Sequence, residues 1–215
     1  MQFMSLLDTL TQFSGGNTVG ELEEKFSKMA SAFLYGGYIN VNMGKNDVYK
    51  VYIRTVEFYF HSERTDGVHD PIVYHRNGRG MEKIPYFPLM TLHAHNSGFD
   101  ITFESEKGEY RASALIRAYE VKKDDRYLKW ISGKGIFEDK SEYCYNIQST
   151  CLYLLLNGFT MGENNNIRWV NVPYTEVELK GKPRKNVFIS ESETEYIKTP
   201  NKCQRNWSFT REDKM

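Results

Sequence analysis

The chain has 215 residues, of which 40% are hydrophobic and 14% aromatic, and its 28 basic and 28 acidic side chains cancel. This length and composition fit one globular domain, or one domain with a terminal extension. Zero net charge gives no support for a nucleic-acid partner, although a local basic groove is compatible with it. No stretch approaches the roughly 18 apolar residues of a membrane-spanning helix, so we expect no membrane association.

Two helices are predicted near the N-terminus, over residues 3–13 and 18–35. Thr18 lies three residues before Glu21, which is the spacing of a capping box at the start of the second helix. Within that helix, apolar residues recur every three or four positions, as is typical of a helix that packs one face on a core.

The region from residue 37 to 119 is predicted to be rich in strands. The two stretches that flank the turn-like residues 43–47 predict a hairpin. Residues 122–163 are predicted to be mainly helical, around Ser149–Leu156, and residues 164–210 to return to short strands. The predicted strands of the central region are Tyr38–Val41, Val48–Phe60, Thr91–His95, Phe99–Glu104 and Tyr110–Val121.

Strand alternation places Glu57 and Tyr59 on one face and Val56 and Phe58 on the other. A carboxylate and a phenol on a half-buried strand are costly unless they have partners, and catalytic sites often accept that cost. The alternative is that Glu57 faces water on an edge strand. In the last central strand, alternation predicts an apolar face with Ala112, Ala114, Ile116 and Ala118, and a second face with Arg111, Ser113, Leu115, Arg117 and Tyr119.

All five histidines fall between residues 61 and 95. His93 and His95 would share one face of a strand, so with His69 and Glu57 they could form a metal site of the His-x-His type. The alternative is that the imidazoles stack or form hydrogen bonds in a polar pocket. The histidines are His61, His69, His75, His93 and His95.

The cysteines and the N-terminal residues indicate the cellular compartment of the protein. Cys144, Cys151 and Cys203 are odd in number and lack CxxC spacing, which favours free thiols in a reducing compartment over a disulfide framework or a zinc site. Residues 1–13 lack the basic start of a secretory signal. We therefore expect a cytoplasmic protein.

A series of short motifs follows one another along the chain in a characteristic order. They are the helix end Ala30–Leu34, the strand Ile53–Tyr59, His69, the turn Arg76–Met81, the strand Thr91–His95 and the strand Ala114–Glu120. In order and approximate spacing they resemble the alkyladenine (3-methyladenine) DNA glycosylase family. The corresponding pieces there are A-x-A-F-L, I-V-E-T-E-A-Y, a downstream His, R-N-x-x-M, T-L-Y-V-Y and L-I-R-A-L-E-P. The resemblance covers roughly residues 28–121, with a weaker similarity at 205–209.

The resemblance implies catalytic roles for Glu57 and Arg117. Glu57 matches the family's general base, which activates the water that attacks the sugar C1′ and lies near the developing oxocarbenium. Arg117 matches an arginine at the DNA backbone. Tyr59 matches an aromatic that stacks on the extruded base, and His69 matches a pocket residue opposite it. The base must leave the stack because C1′ cannot be approached inside a duplex.

Other matched positions differ from the family. His93 and His95 replace tyrosines, and they are predicted substrate-binding residues because imidazole can still stack on a base. Asn96 and Ser97 stand where the family inserts a bulky residue into the duplex, and both are poor wedges. The arginine-rich turn has two interpretations: a simple polar turn, which is the default, and a loop that contacts phosphates. The predicted DNA-contacting residues are Arg76, Asn77, Arg79, Asn96 and Ser97.

The resemblance implies an α+β fold, with a curved antiparallel β-sheet flanked by helices over residues 18–215 and an N-terminal helical extension over 1–17. The function it implies is hydrolysis of the N-glycosidic bond of alkylated or deaminated purines in DNA by base flipping. We expect a monomer that uses no metal and no other cofactor.

Three alternatives remain open from the sequence. The first is a non-catalytic protein of the same fold that binds a nucleobase, a nucleotide or a protein partner. The second is a metal-dependent enzyme that uses His69, His93 and His95. The third is that Glu57 and Arg117 form a purely structural pair across adjacent strands.

Overall fold

The computed structural model describes most of the first 131 residues and three later parts of the chain. The described residues are 4–42, 48–73, 75–77, 84–95, 98–124, 126–131, 136–138, 166–185, 187–190, 192 and 205–212. Side chains are described at these positions except at 94–95, 127–131 and 136–138. The three cysteines, the turn at 43–47 and the predicted helix around Ser149–Leu156 lie outside the described residues.

Two α-helices begin the described chain: α1 spans Leu6–Thr11 and α2 spans Val19–Tyr35. The predicted cap of α2 is confirmed, because Thr18 Oγ1 accepts a hydrogen bond from the backbone N–H of Glu21 at 3.2 Å. The carboxylate of Glu21 accepts from the N–H of Asn17 at 3.0 Å, one residue before the position that a capping box would use. Within the residues that the structure describes, no helix combines the length and apolar character needed to cross a membrane.

Nine described strands form one antiparallel system in which six neighbours follow the order β3-β4-β5-β2-β1-β8. The sheet curls into a half-barrel, and with α1 and α2 it makes an α+β domain, as predicted. The hairpin of β1 and β2 is confirmed. The strands are β1 Gly37–Asn42, β2 Val48–Ser62, β3 Leu92–His95, β4 Gly98–Thr102, β5 Tyr110–Lys123, β6 Arg126–Ile131, β7 Ile136–Glu138, β8 Ile167–Asn171 and β9 Ser208–Thr210.

The helix α2 packs its apolar side on the sheet. Phe26 of α2 stacks on Phe58 of β2 with ring centroids 4.6 Å apart, and Trp207 meets Phe26 edge-on at 5.0 Å. Burying one such ring contributes about 1.5–3 kcal/mol. Phe13, from the N-terminal segment, also stacks on Phe26, at 5.8 Å. The N-terminal segment thus contributes to the same core, while a boundary between residues 17 and 18 stays a prediction.

Strand alternation is interrupted beside Thr55, where the register between β2 and β5 shifts on both sides of this residue. The shift is typical of a β-bulge, which turns the following side chains to the other face. Ile116 and Tyr119 therefore both pack in the core although they are three positions apart, and each is 0% exposed. The prediction that Tyr119 shares a face with Arg117 is wrong for this reason.

The region after β5 differs from its prediction. The sequence predicts a mainly helical stretch over residues 122–163, but β6 and β7 form an antiparallel hairpin that extends from β5 through the pair Val121 and Leu128. For these residues the helical prediction is wrong, because pairing to an existing strand overrides a weak local preference. The short strands β8 and β9 agree with the prediction for the described parts of residues 164–210.

Candidate functional site

The candidate site lies on the face of the sheet opposite the helices. Glu57 belongs to this face because its neighbours Val56 and Phe58 are both 0% exposed in the core. Leu115 of β5 stands directly opposite Glu57 in the register. Arg117 is two residues further along β5, a diagonal position from which a long side chain reaches across the strand pair.

Three donors surround the carboxylate of Glu57. Its Oε2 accepts hydrogen bonds from Arg117 Nε at 2.7 Å and from the hydroxyl of Tyr59 at 3.0 Å. Its Oε1 accepts from the backbone N–H of Lys185 at 3.0 Å. A carboxylate has about four acceptor positions, so one position, on Oε1, has no donor among the described residues. The side chain is 1% exposed, whereas that of Arg117 is 25% exposed and opens the cluster to solvent.

The protonation states in this cluster follow from its surroundings. Burial alone would lower the pKa of Arg117, but Tyr59 and Glu57 outweigh burial and raise that pKa above its ordinary value. Burial, followed by the charge of Glu57, raises the pKa of Tyr59 above its usual range. The guanidinium therefore stays charged, and the phenol keeps the proton that it donates to Glu57.

A buried ion pair covers Tyr59 from the outer side. The guanidinium carbon of Arg184 lies 4.5 Å from the centre of the Tyr59 ring, within the range of a cation–π contact. Arg184 Nη1 donates to Asp70 Oδ2 at 2.7 Å and to the carbonyl of Phe58 at 3.1 Å. The next residue, Lys185, is the one whose backbone N–H donates to the Glu57 carboxylate. Residues 184 and 185 thus close the site on this side.

His69 lies next to this ion pair. Its Nε2 is 2.7 Å from the carbonyl oxygen of Arg64, which can only accept, so Nε2 carries the proton. Its ring centre is 5.2 Å from that of His61. The described contacts bring His69 to His61 and Arg64 and do not include Glu57 or Tyr59, so its role opposite a bound base stays a prediction.

His93 occupies the same row of the sheet as Glu57. Glu57 faces Leu115, Leu115 faces Asp100, and Asp100 faces His93 across four adjacent strands. At roughly 4.8 Å per strand, His93 is about 14 Å from Glu57 along the sheet. One metal ion cannot bind both. Among the side chains that the structure describes, no three His, Cys, Asp or Glu residues are grouped as metal ligands.

The predicted DNA-contacting turn is partly described. Arg76 Nε donates to the carbonyl of Pro71 at 3.2 Å, and the N–H of Asn77 donates to Glu63 Oε1 at 3.0 Å. These two residues contact the protein's own loop, and their contacts to phosphate stay predictions. The predicted residues that lie outside the described side chains are Arg79, His95, Asn96 and Ser97.

Asp70, Arg184 and Lys185 are not among the site residues that the sequence predicts. Asp70 and Arg184 are 114 residues apart, so no local periodicity links them, and charged side chains are by default expected at the surface. The dipeptide that precedes Lys185, Pro183-Arg184, indicates only a break between strands. One sequence feature did indicate this region: Trp207 lies in the weaker similarity at 205–209. Its ring centre is 5.2 Å from the guanidinium carbon of Arg184.

Two comparisons with known proteins found no relative. No protein-family model matches the chain, and no curated protein is significantly similar to it. The order of the motifs and the geometry of the site therefore carry the indications of function.

A pH-dependent stability is expected from His61, whose Nδ1 accepts the N–H of Asp70 at 3.1 Å. Burial lowers the pKa of His61 from 6.5 to about 4. Between these values the unfolded chain binds more protons than the folded chain, so stability falls as the pH decreases from about 6.5 to about 4. The free energy of unfolding changes by up to about 3 kcal/mol over this range, and by less to the extent that the ring is exposed to solvent.

Urea unfolding between pH 7 and pH 4.5 measures this effect. His61→Asn is the matched variant, because its Oδ1 can accept the same N–H and does not titrate. We expect a flatter pH dependence for the variant, and equal slopes for the two proteins would contradict the assignment.

Proposed function

We propose that the protein hydrolyses the N-glycosidic bond of a damaged purine nucleotide, on a fold of the alkyladenine DNA glycosylase type. The observation that carries this proposal is the hydrogen-bonded cluster of Glu57, Tyr59 and Arg117. Arg117 follows Glu57 by 60 residues, and the resemblance assigns these same three side chains to one site. Their convergence on one carboxylate supports a shared chemical role.

Each member has a defined task in the proposed reaction. A water oxygen bonds to C1′ while the bond from C1′ to the base nitrogen breaks, and the base leaves with the electron pair. The free position on Glu57 Oε1 receives the proton of the water, and the carboxylate charge stabilises the developing oxocarbenium. Arg117 and Tyr59 hold the carboxylate in one orientation, so that little reorganisation is needed at the moment of attack.

Access to Glu57 is restricted, which limits how a substrate can bind. The partly exposed Arg117 marks the open side of the cluster. One face of Tyr59 is in contact with Arg184, so a purine would stack on the other face. We propose that the purine enters from the Arg117 side as an extruded base, with DNA as the partner. Because Asn96 and Ser97 are poor wedges, single-stranded or mismatched DNA would be preferred.

A non-catalytic binding protein is the second candidate. The observation that favours it is the burial of Glu57, whose two oxygens already accept from protein donors. Such a carboxylate could serve only to hold Arg117 and Tyr59 in place. Ligand binding without hydrolysis would then be the function of the same face.

Excision from oligonucleotides distinguishes the two candidates. The substrates carry hypoxanthine, ethenoadenine or an alkylated adenine, and strand cleavage at the resulting abasic site is the readout. Glu57→Gln removes the base and is expected to lower the excision rate at least about 100-fold. Glu106→Gln, at an exposed position, is the control and should retain the full rate.

Folding must be measured in parallel. The amide introduced by Glu57→Gln would direct an N–H group at one of the three donors, so the variant is expected to lose stability, and rates are compared below its unfolding transition. Equal rates for Glu57→Gln and the parent would exclude Glu57 as the base. Absence of excision in the parent protein, together with nucleobase binding by both proteins, would support the non-catalytic candidate.

A further inference from the structure

Within the part of the chain that the structure describes, one complete edge of the Arg184 guanidinium has no acceptor. Nη1 is occupied by Asp70 and by the carbonyl of Phe58. Nε and Nη2 are buried, and neither has a hydrogen-bond partner among the described residues. These two N–H groups point side by side and form the fork that binds carboxylate or phosphate oxygens in pairs.

A third buried donor belongs to Trp207, whose ring contacts the Arg184 guanidinium. Trp207 Nε1 is buried and has no partner in the described part of the chain, and the Trp207 ring lies 5.2 Å from the guanidinium carbon of Arg184. Trp207 is 0% exposed and Arg184 is 2% exposed. A buried donor left unmet costs about 1–3 kcal/mol, and more when it is charged. Folded proteins seldom retain such groups unless a ligand or water completes them.

We infer that Arg184 and Trp207 form a binding site for a phosphate-class oxyanion. Indole and guanidinium can only donate, so the missing group must offer acceptors. A water molecule at this place would also have to donate its own two protons, but the groups around it are donors and cannot accept them. A tetrahedral oxyanion has no such requirement: two of its oxygens fit the Arg184 fork, and the others remain for donors outside the guanidinium plane.

The position of this site links it to the Glu57 cluster. Arg184 lies over Tyr59, and the N–H of Lys185 contacts Glu57. A ligand that occupied both places would carry a phosphate on the opposite side of the Tyr59 ring from the base, which points to a nucleotide rather than a free nucleoside. This extension rests on the proposed function, whereas the oxyanion site itself does not.

Arg184 itself belongs to the segment of residues 182–185, the covering segment, and it is buried, so an oxyanion reaches its guanidinium only when this segment shifts. This segment is attached to β9 by two backbone hydrogen bonds between Lys182 and Ser208, at 2.8 and 3.0 Å. Arg117 Nη2 also donates to the carbonyl of Lys185 at 3.4 Å. These contacts hold the segment in place together with those of Arg184 to Asp70 and Phe58 and of Lys185 to Glu57.

Two conservative variants test the site. Arg184→Lys keeps a positive charge for Asp70 and loses the fork, while Trp207→Phe keeps an aromatic ring and loses the N–H. Calorimetric titration and thermal unfolding compare sodium phosphate with sodium chloride at equal ionic strength. We expect phosphate to bind the parent protein and raise its Tm, and each variant to bind about tenfold or more weakly. Circular dichroism confirms that each variant is folded, and if Arg184→Lys fails to fold, Trp207→Phe carries the test.

Two outcomes of this test would contradict the inference. No phosphate-specific binding to the parent protein would overturn it, and so would equal binding by the parent and both folded variants, because the ion would then lie elsewhere. Adenosine 5′-monophosphate that binds more tightly than both phosphate and adenosine would support the nucleotide extension; binding no tighter than phosphate would remove that extension. Phosphate binding without excision would leave this site intact and remove the proposed function, and excision without phosphate binding would do the reverse.

Discussion

Replacing Asp70 with asparagine is expected to lower the free energy of unfolding by about 3–5 kcal/mol. The Asp70 side chain is 0% exposed, and its Oδ2 is 2.7 Å from Arg184 Nη1 and 3.9 Å from Arg205 Nη1. Asparagine has almost the same shape but no charge. The substitution would therefore leave a buried guanidinium without its carboxylate, which costs more than the pair contributes when it is intact.

Urea unfolding measures the loss, and an exposed ion pair supplies the control. Asp66 is paired with Arg64 at 2.8 Å, but the two side chains are 68% and 51% exposed, so Asp66→Asn should change stability little. Combining Asp70→Asn with Arg184→Met should recover part of the loss, because the unpaired charge is removed. If Asp70→Asn and Asp66→Asn had equal stability, the buried pair would not be formed in solution.

The same substitution tests how the ion pair supports the candidate site. Arg184 contacts Tyr59, and Tyr59 donates to Glu57, so Asp70 acts on the carboxylate through two intermediaries. Glu57 is already attached to Arg117 on β5 and to Lys185 on the covering segment. Loss of Asp70 should therefore loosen the covering segment before it disturbs the pair of Glu57 and Arg117.

Local patterns in the sequence predicted the parts of the fold that depend on neighbouring residues. Thr18 caps α2 because a hydroxyl at that spacing reaches the N–H of Glu21. Glu57 takes the face opposite to Val56 because strand side chains alternate. The prediction that Glu57 and Arg117 lie in one site was based on the resemblance, because alternation alone does not identify which strands are neighbours.

The features that the sequence did not predict depend on pairing between distant strands. Tyr119 turns into the core because the register of β5 shifts against β2 at Thr55, and a single-strand pattern contains no information on a partner's register. The hairpin of β6 and β7 forms on the end of β5 against its local preference. Asp70 and Arg184 meet only after the chain has folded over the sheet, so neither is marked by its neighbours.

The row of residues across four strands also limits the chemistry of this face. His93 and Glu57 share a face but are separated by two intervening strands, so they belong to different parts of any bound ligand. A ligand of nucleotide size could contact both, whereas a single metal ion could not. In a metal-dependent enzyme that used His93, Glu57 could therefore not be a ligand of the same metal ion.

The second large effect is expected from Arg111→Met, which should also lower the free energy of unfolding by about 3–5 kcal/mol. The Arg111 side chain is 0% exposed, with Nε 3.0 Å from Glu63 Oε1 and Nη1 3.1 Å from Glu104 Oε2. Its guanidinium carbon lies 3.6 Å from the centre of the Tyr86 ring, and Nη1 also donates to the carbonyl of Pro85. Methionine would fill much of the space and leave two carboxylates without their cation.

In Arg111→Met, the loss of stability should be accompanied by a local opening of the segment that leads into β3, separate from global unfolding. Glu104 Oε2 also accepts from the backbone N–H of Phe87 at 2.9 Å, so Arg111 fixes the segment that leads into β3. Hydrogen exchange at the Phe87 amide should therefore become faster than exchange in β2 under native conditions. Arg64→Met, at an exposed ion pair, should leave both stability and this amide nearly unchanged. An Arg111→Met protein that lost stability without faster exchange at Phe87 would show that the cation stabilises the sheet alone and does not hold the segment.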